Sequence, residues 1–147
     1  MLSVLRTARV RFAPAARRMA VRSFVTKYTE SHEWVRIDGD TATIGVTDYA
    51  QNALGDVVYV EVPEANTEVE AEDVVGIVES VKSTSDIYSP LSGTIIEGNA
   101  NVVVNTKLVN KSPEADGWLF KIKFSDKEQL DALLDATKYK QLIEDGH

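Results

Sequence analysis

The sequence contains no cysteine, and this absence excludes several classes of protein. A chain without thiols forms no disulfide, offers no thiolate to a metal, and has neither a cysteine nucleophile nor a redox-active thiol of its own. Its two histidines, His32 and His147, are too few and too distant in sequence to indicate a metal cluster. No apolar run approaches the roughly 18 residues of a membrane-spanning helix, so we expect no membrane partner.

The length and composition are those of a single folded domain. The chain has 147 residues, of which 44% are hydrophobic and 27% are charged. These proportions are ordinary for globular proteins, and the length allows one core of normal size.

Charge is distributed unevenly along the chain. Residues 1–26 contain no acidic residue, and all 23 acidic residues follow them, although the chain as a whole has a net charge of −7. An arginine-rich, acid-free start with alanine and serine is typical of an organelle transit peptide. We therefore expect residues 1–26 to be a mitochondrial transit peptide, with a chloroplast as the alternative, and residues 27–147 to be the domain. The arginines concerned are Arg6, Arg9, Arg11, Arg17, Arg18 and Arg22.

This interpretation places the mature protein in the mitochondrial matrix. The alternative use of a basic arm is to bind nucleic acid. We do not expect a nucleic-acid partner, because phosphate would repel the acidic remainder of the chain.

Short runs rich in β-branched residues follow one another through the rest of the chain. Asp38-Gly39 between two alternating runs predicts a hairpin. Short and frequent strands indicate a mainly β sandwich or small barrel, since a parallel sheet would alternate long strands with helices. The expected strands are 34–37, 41–46, 57–62, 74–78, a run that starts at 87, 94–97, 102–104 and 118–122.

Two helices are predicted. Thr47 is expected to cap a short helix that ends before Gly55. Residues 125–128 have the pattern of a capping box, which predicts a C-terminal helix that packs on the domain. Its expected apolar face is Leu130, Leu133 and Leu134, and a further turn or two would include Tyr139, Leu142 and Ile143.

One lysine lies in a polar segment between two β-forming runs. Lys82 is the only lysine or arginine between Arg36 and Lys107. A hairpin tip is exposed because its backbone groups need water, so another enzyme could add a group to Lys82 there. From its position alone, however, a solvated charge is the simpler interpretation.

Several segments form an ordered set around and beyond this lysine. Segments 76–82 and 88–93 belong to the lysine hairpin, and Ser31-His32-Glu33-Trp34-Val35, 43–51, 54–58, 108–110 and 116–119 lie outside it. Their sequences and their order, over roughly residues 27–145, resemble those of the glycine cleavage system H-protein family. In that family the hairpin is the site of lipoyl attachment.

The resemblance implies a fold, a cofactor and partners. The fold would be a lipoyl-domain-like barrel-sandwich hybrid of two antiparallel sheets, with a short internal helix and a C-terminal helix. Lys82 would carry (R)-lipoate in amide linkage, and the chain would be a carrier and not an enzyme. Its arm would take an aminomethyl group from glycine decarboxylase (P protein) to the tetrahydrofolate-dependent aminomethyltransferase (T protein). Dihydrolipoamide dehydrogenase (L protein) would reoxidise the arm, and lipoate-attaching enzymes would be further partners.

The resemblance also implies a pocket for the loaded arm. Ser31, Glu33 and Asp86 would face its amine. The aminomethyl adduct is cationic at neutral pH, so carboxylates would hold it, and shelter from water would slow its hydrolysis. Without the resemblance, Glu33 and Asp86 would be interpreted as surface charges, and His32 is interpreted as structural or partner-facing.

Four positions depart from the family pattern. Asn66 stands where the family usually has a turn glycine, and asparagine tolerates the left-handed conformation, so we expect the turn to survive. Thr106 replaces a usual proline before the 108–110 segment, Val102 replaces a usual leucine, and Glu114 stands where tyrosine is frequent, so we expect a looser second half of the domain.

Alternatives remain at this point. A biotinyl domain usually has methionines beside its lysine, where this chain has Val81 and Ser83. A lipoyl domain of a 2-oxo acid dehydrogenase is normally fused to a longer enzyme. A relay of lipoate to other proteins is an additional role, and a scaffold barrel is the plainest alternative. An enzyme is disfavoured because the sequence contains no phosphate loop, no GxSxG and no HExxH.

Overall fold

The structure, a computed structural model, describes residues 25–146, and these form two antiparallel β-sheets with short helices. The larger sheet has the strand order β1-β2-β3-β9-β8-β5, and the smaller has the order β4-β6-β7. The strands are β1 Val25–Tyr28, β2 Glu33–Asp38, β3 Thr41–Val46, β4 Val57–Glu61, β5 Glu68–Val69, β6 Val74–Ser80, β7 Thr84–Tyr88, β8 Gly93–Gly98 and β9 Phe120–Phe124.

Four α-helices and one 3-10 helix complete the part of the chain that the structure describes. They are α1 Asp48–Leu54, α2 Ala100–Val104, α3 Lys107–Lys111, the 3-10 helix Lys127–Ala132, and α4 Ala136–Glu144. None of the helices in this range is long and apolar enough to cross a membrane.

The core lies between the two sheets and under the helices. Val35 and Ile44 of the larger sheet belong to the same buried apolar cluster as Val60 and Val78 of the smaller one. Strands with one buried face and one exposed face, paired antiparallel, produce this arrangement. The prediction of a mainly β fold of two antiparallel sheets with an internal and a C-terminal helix is confirmed.

Two local predictions are confirmed because local chemistry decides them. β2 and β3 form the predicted hairpin, in which Asp38 pairs with Thr41 and Gly39 adopts a φ of +66° that glycine tolerates. Thr47 caps α1 by accepting a hydrogen bond from the Ala50 amide, and Gly55 follows the last helical residue.

Three strand predictions are corrected. Residues 102–104 are not a strand but the end of α2, which Asn99 caps through the Asn101 amide. Val102 is fully buried whereas Val104 is 84% exposed, so capping and the burial of one side chain override the β-propensity of three valines. Ile87 lies near the end of β7 and not at its start, and β9 begins at Phe120, two residues later than expected.

The C-terminal helix exists, but it starts further along the chain than the capping-box pattern predicted. The 3-10 helix follows that pattern, and its cap is Asp126, whose side chain accepts from the Glu128 amide. Ser125 instead donates to the carbonyl of Ser92. The true C-terminal helix is α4, capped by Asp135.

The predicted boundary between residues 26 and 27 falls inside β1. Val25 and Thr26 pair with Ile37 and Arg36 of β2, so two residues assigned to the leader are part of the sheet. The rest of the predicted transit peptide lies outside the described residues.

Candidate functional site

Lys82 lies at the tip of the hairpin that β6 and β7 form. Its side chain is exposed, as are those of Val81 and Ser83. The Ser80 hydroxyl accepts hydrogen bonds from the amides of Lys82 and Ser83, each at 3.1 Å, and the Ser80 amide donates to the Ser83 carbonyl at 2.8 Å. A serine that satisfies its own turn in this way orders the backbone of the tip.

The tip lies against the carboxyl end of α1. Lys82 Nζ is 3.1 Å from the carbonyl oxygen of Ala53, to which it donates, and the Val81 amide donates to the Asp56 carbonyl at 3.0 Å. A Cβ atom at Gly55 would lie 3.3 Å from Lys82 Cδ, so the lysine stem crosses the backbone of Gly55 closely. The last carbonyls of a helix lack intrahelical donors, which makes them natural partners for an ammonium group.

Glu33 is not a surface charge, as it would have been interpreted without the resemblance. Its side chain is buried at 1% exposure. Oε1 accepts hydrogen bonds from the hydroxyls of Ser31 and Thr29, both at 2.8 Å, and Oε2 accepts from the amide of Tyr88 at 3.1 Å. Burial raises the pKa of this carboxyl above its ordinary value, and the three hydrogen bonds act against that rise.

Ser31 and Asp86 line a cavity of about 350 Å³ that begins beside the lysine. We call it the arm cavity. Asp86 is exposed on β7, one of the two edge strands of the smaller sheet. The opposite wall is α1, which contributes Tyr49, Ala50, Ala53 and Leu54, and the remaining lining residues are His32, Val46, Ser83, Ser85 and Ile87.

Glu33 lines a second cavity of about 650 Å³ that Ser31 also borders. Its other walls come from the end of β7 and from the segment before α4, including Tyr88, Gln129 and Leu133. Ser31 therefore touches both cavities, whereas Glu33 and Asp86 line different ones. The structure brings two of the three predicted pocket residues together in the arm cavity and places the third behind Ser31.

Tyr139 supports the walls of the arm cavity, and sequence reasoning did not find this role. Its hydroxyl lies 2.9 Å from His32 Nδ1 and 2.7 Å from Thr47 Oγ1, so α4 contacts both the turn before β2 and the cap of α1. The ring also stacks on Tyr28 at 4.6 Å. Burial raises the pKa of Tyr139 to about 12, so the hydroxyl stays protonated. The only sequence signal was helical spacing.

The arrangement is suited to binding a group that is attached to Lys82. An exposed primary amine stands beside a cavity with a carboxylate and hydroxyl groups in its wall, which suits a tethered cationic group. Within residues 25–146, His, Asp and Glu side chains form no group of three that could hold a metal ion.

Comparisons with known proteins agree with this geometry. The family model for the glycine cleavage H-protein matches residues 26–146. The chain is 48% identical to the glycine cleavage system H protein of Halorhodospira halophila, over 81% of this chain and 92% of the relative. It is 50% identical to that of Thermotoga maritima, over 78% and 93% respectively. A crystal structure of the H protein from Mycobacterium marinum superposes with a TM-score of 0.71 at 34% identity, covering 79% of this chain and 94% of that one.

These relatives correct one prediction. The expected location in the mitochondrial matrix is wrong, because the relatives that share about half of their residues with this chain are bacterial proteins, and bacteria have no mitochondria. The interpretation of residues 1–26 as a transit peptide loses its support with it. An arginine-rich, acid-free segment shows positive charge, and positive charge alone does not specify an organelle.

The matches cover four fifths of the chain, include the hairpin that presents Lys82, and agree in both sequence and fold. The chain belongs to the glycine cleavage H-protein family and is, as such, a carrier subunit and not an enzyme.

Proposed function

We propose that Lys82 carries (R)-lipoate in amide linkage and that the loaded chain shuttles the aminomethyl group of glycine between enzymes. It accepts the group at glycine decarboxylase and delivers it to the tetrahydrofolate-dependent aminomethyltransferase. Dihydrolipoamide dehydrogenase then restores the oxidised arm. The observation that supports this proposal is an exposed lysine on an ordered tip, beside a cavity that a tethered group can enter.

The residues present fit a lipoyl group. Nζ of Lys82 reaches the Ala53 carbonyl as a donor, and an amide nitrogen at the same place keeps one N–H for that contact. When attached, lipoate supplies a disulfide-containing ring that accepts the aminomethyl group and returns to the disulfide by oxidation. Because the chain has no cysteine, no thiol of its own competes in disulfide exchange with that ring.

The chain contributes tethering and shelter. Attachment to one flexible side chain raises the local concentration of the arm at each partner's active site. Within the arm cavity, Asp86 supplies a negative charge and Ser31 a hydroxyl to a cationic amine. Glu33 adds its charge from behind, through the hydroxyl of Ser31 that it holds at 2.8 Å.

The partners follow from the same cycle. We assign the P, T and L proteins as successive docking partners and the lipoate-attaching enzymes as the partners that load Lys82. The chain around Lys82 is acidic, since no other lysine or arginine lies between Arg36 and Lys107. Such a surface favours rapid association with basic surroundings of an active-site mouth.

Peptide mass spectrometry tests this proposal directly. The chain is produced in cells that lipoylate other proteins, together with Lys82→Arg and the control Lys107→Arg, which changes another exposed lysine. We expect one lipoyl amide on the Lys82 peptide of the unchanged chain and of Lys107→Arg, and none in Lys82→Arg. We also expect Lys82→Arg to lose glycine–bicarbonate exchange with the decarboxylase. If Lys82 is unmodified in all molecules, the carrier proposal is wrong. Biotin on Lys82 would indicate carboxylase chemistry.

A further inference from the structure

The hairpin tip rests on a short backbone segment between α1 and β4. We call residues 55–57 the platform. The Asp56 carbonyl accepts from the Val81 amide at 3.0 Å, and Gly55 lies directly under the Lys82 stem. Val57 pairs with Ser80 in the smaller sheet. The platform therefore places the backbone of Ser80 and Val81, which leads directly into Lys82.

The platform is held in turn by one side chain of α3. Asn110 Oδ1 accepts a hydrogen bond from the Val57 amide at 2.9 Å. Its Nδ2 donates to the Gly55 carbonyl at 2.9 Å and to Gln51 Oε1 at 3.0 Å. The amide thus binds the backbone immediately before and after Asp56, and a primary amide is the side-chain group that combines an acceptor with two donors.

Thr106 supports the same segment from the other end of this helical region. Its hydroxyl donates to the Val57 carbonyl at 2.9 Å. The Gly55 amide is already used by α1, since it donates to the Gln51 carbonyl at 3.0 Å. Both polar groups of Gly55 and both of Val57 therefore have partners, and the Asp56 carbonyl remains to receive Val81.

We infer that Asn110 is a positioning residue for Lys82: by fixing the platform, it holds the hairpin tip in one orientation for the enzymes that load and use it. This inference rests on the proposed function, because orientation at the tip matters only if Lys82 is modified. If the tip samples several orientations, only the fraction of molecules in the correct orientation can bind a partner. The apparent affinity of the partner is then reduced in proportion to that fraction. A displacement of about 1 Å at a reacting atom can lower a rate by as much as about a hundredfold.

A purely structural role for Asn110 makes a different prediction, and Asn99 offers a matched control. Asn99 likewise makes three hydrogen bonds through its side-chain amide: it accepts from the Asn101 amide and donates to the carbonyls of Asp116 and Trp118. It is more deeply buried, with 3% exposure, and none of these bonds involves the platform or the hairpin. If Asn110 only stabilises the fold, Asn99→Ala and Asn110→Ala will behave alike at the tip.

Two measurements on the full chain separate the roles. The first is hydrogen exchange of the Val81 amide by NMR, with the Ser80 amide as internal reference because its bond to Ser83 lies within the tip. The second is kcat/KM for attachment of lipoate by a lipoate–protein ligase with ATP. We expect Asn110→Ala to accelerate Val81 exchange about tenfold relative to Ser80 and to lower kcat/KM about fivefold. Asn99→Ala will change each by less than about twofold.

A milder variant keeps the inference testable even if Asn110→Ala fails to fold. Thr106→Val preserves shape and removes one bond to the platform, so we expect a change in the same direction and about half as large on a logarithmic scale. The inference would be overturned if the Val81 amide exchanged at the same rate in Asn110→Ala and Asn99→Ala. It would also be overturned if the Val81 exchange rate in Thr106→Val equalled that of the unchanged chain. If the ligase leaves Lys82 of the unchanged chain bare, the proposed function fails, whereas the exchange data still decide the mechanical link.

Discussion

The carboxylate of Glu33 accepts a hydrogen bond from the backbone amide of Tyr88, with 3.1 Å between Oε2 and the nitrogen. Glu33 begins β2 in the larger sheet, and Tyr88 ends β7 at the edge of the smaller one. A side chain therefore occupies a place that a neighbouring strand would fill, and it joins the two sheets. Because Oε1 also accepts from the Ser31 hydroxyl, one buried carboxylate connects the turn before β2, which lines the arm cavity, to the end of β7.

Glu33→Gln is expected to change how stability depends on pH. Burial raises the pKa of Glu33 above 4.5, so the folded chain binds this proton more tightly than the unfolded chain. Glu33 then favours folding fully below its unfolded pKa, and this contribution is lost as pH rises through the raised value. Glutamine keeps the acceptor for Tyr88 and has no proton to lose, so the variant should gain stability relative to the unchanged chain as pH rises from about 4 to about 7.

Urea unfolding at several pH values measures this difference. Glu97→Gln, at an exposed position of β8, is the control and should follow the unchanged chain across the range. A stability difference between Glu33→Gln and the unchanged chain that does not vary with pH would show that the buried carboxyl titrates normally.

Asp86→Asn is expected to weaken retention of the cationic cargo, given the proposed function. The change preserves shape and removes the negative charge from the wall of the arm cavity. We expect the aminomethyl group to be lost from the loaded arm about three to ten times faster when no aminomethyltransferase is present. Release of the one-carbon unit over time measures this, with the exposed Glu68→Gln as control. If the aminomethyl group is lost at the same rate from Asp86→Asn and Glu68→Gln, Asp86 does not hold the cationic cargo.

Tyr139→Phe is expected to destabilise the domain by about 1–2 kcal/mol, because His32 and Thr47 lose a shared partner in a buried site. Stacking on Tyr28 is retained in the variant. Tyr59→Phe is the matched control: its hydroxyl donates to Glu61 at the surface, and its loss should cost less than about 0.5 kcal/mol. The free energy of unfolding in urea gives both values, and comparable losses would argue against a bracing role for α4.

Asn66 has a φ of +68°, as expected for a residue that replaces a turn glycine. Alanine is strained in this conformation, so Asn66→Ala should lose about 1 kcal/mol, whereas Asn66→Gly should stay within a few tenths. Thermal unfolding of the pair measures the difference, and the two variants differ only by a Cβ at that position. If the two variants unfold at the same temperature, residue 66 of the alanine variant has moved out of the left-handed region to a φ that any residue can adopt.

Some of the site could be predicted because its signals are local. Lys82 stands alone among acidic and hydroxyl residues, and a polar segment between two strands has to reach water. The ordered motifs around it identified the family. The trio of Ser31, Glu33 and Asp86 was predicted by resemblance, but the structure divides it between two cavities. The location was predicted wrongly, since the charge of a short segment does not define its destination.

The sequence by itself determined the features that neighbours along the chain decide: the β2–β3 turn at Gly39, the cap at Thr47, and an exposed lysine between two strands. Tertiary structure decided the burial of Glu33, the helical state of residues 102–104, and the hold of Asn110 on the platform. For Glu33 and Asn110 the deciding contact comes from a distant part of the chain, and for residues 102–104 the burial of Val102 in the core adds to the local cap at Asn99. Glu33 meets Tyr88 and Asn110 meets Val57 only after two sheets and a helix have packed, so no local pattern could show them.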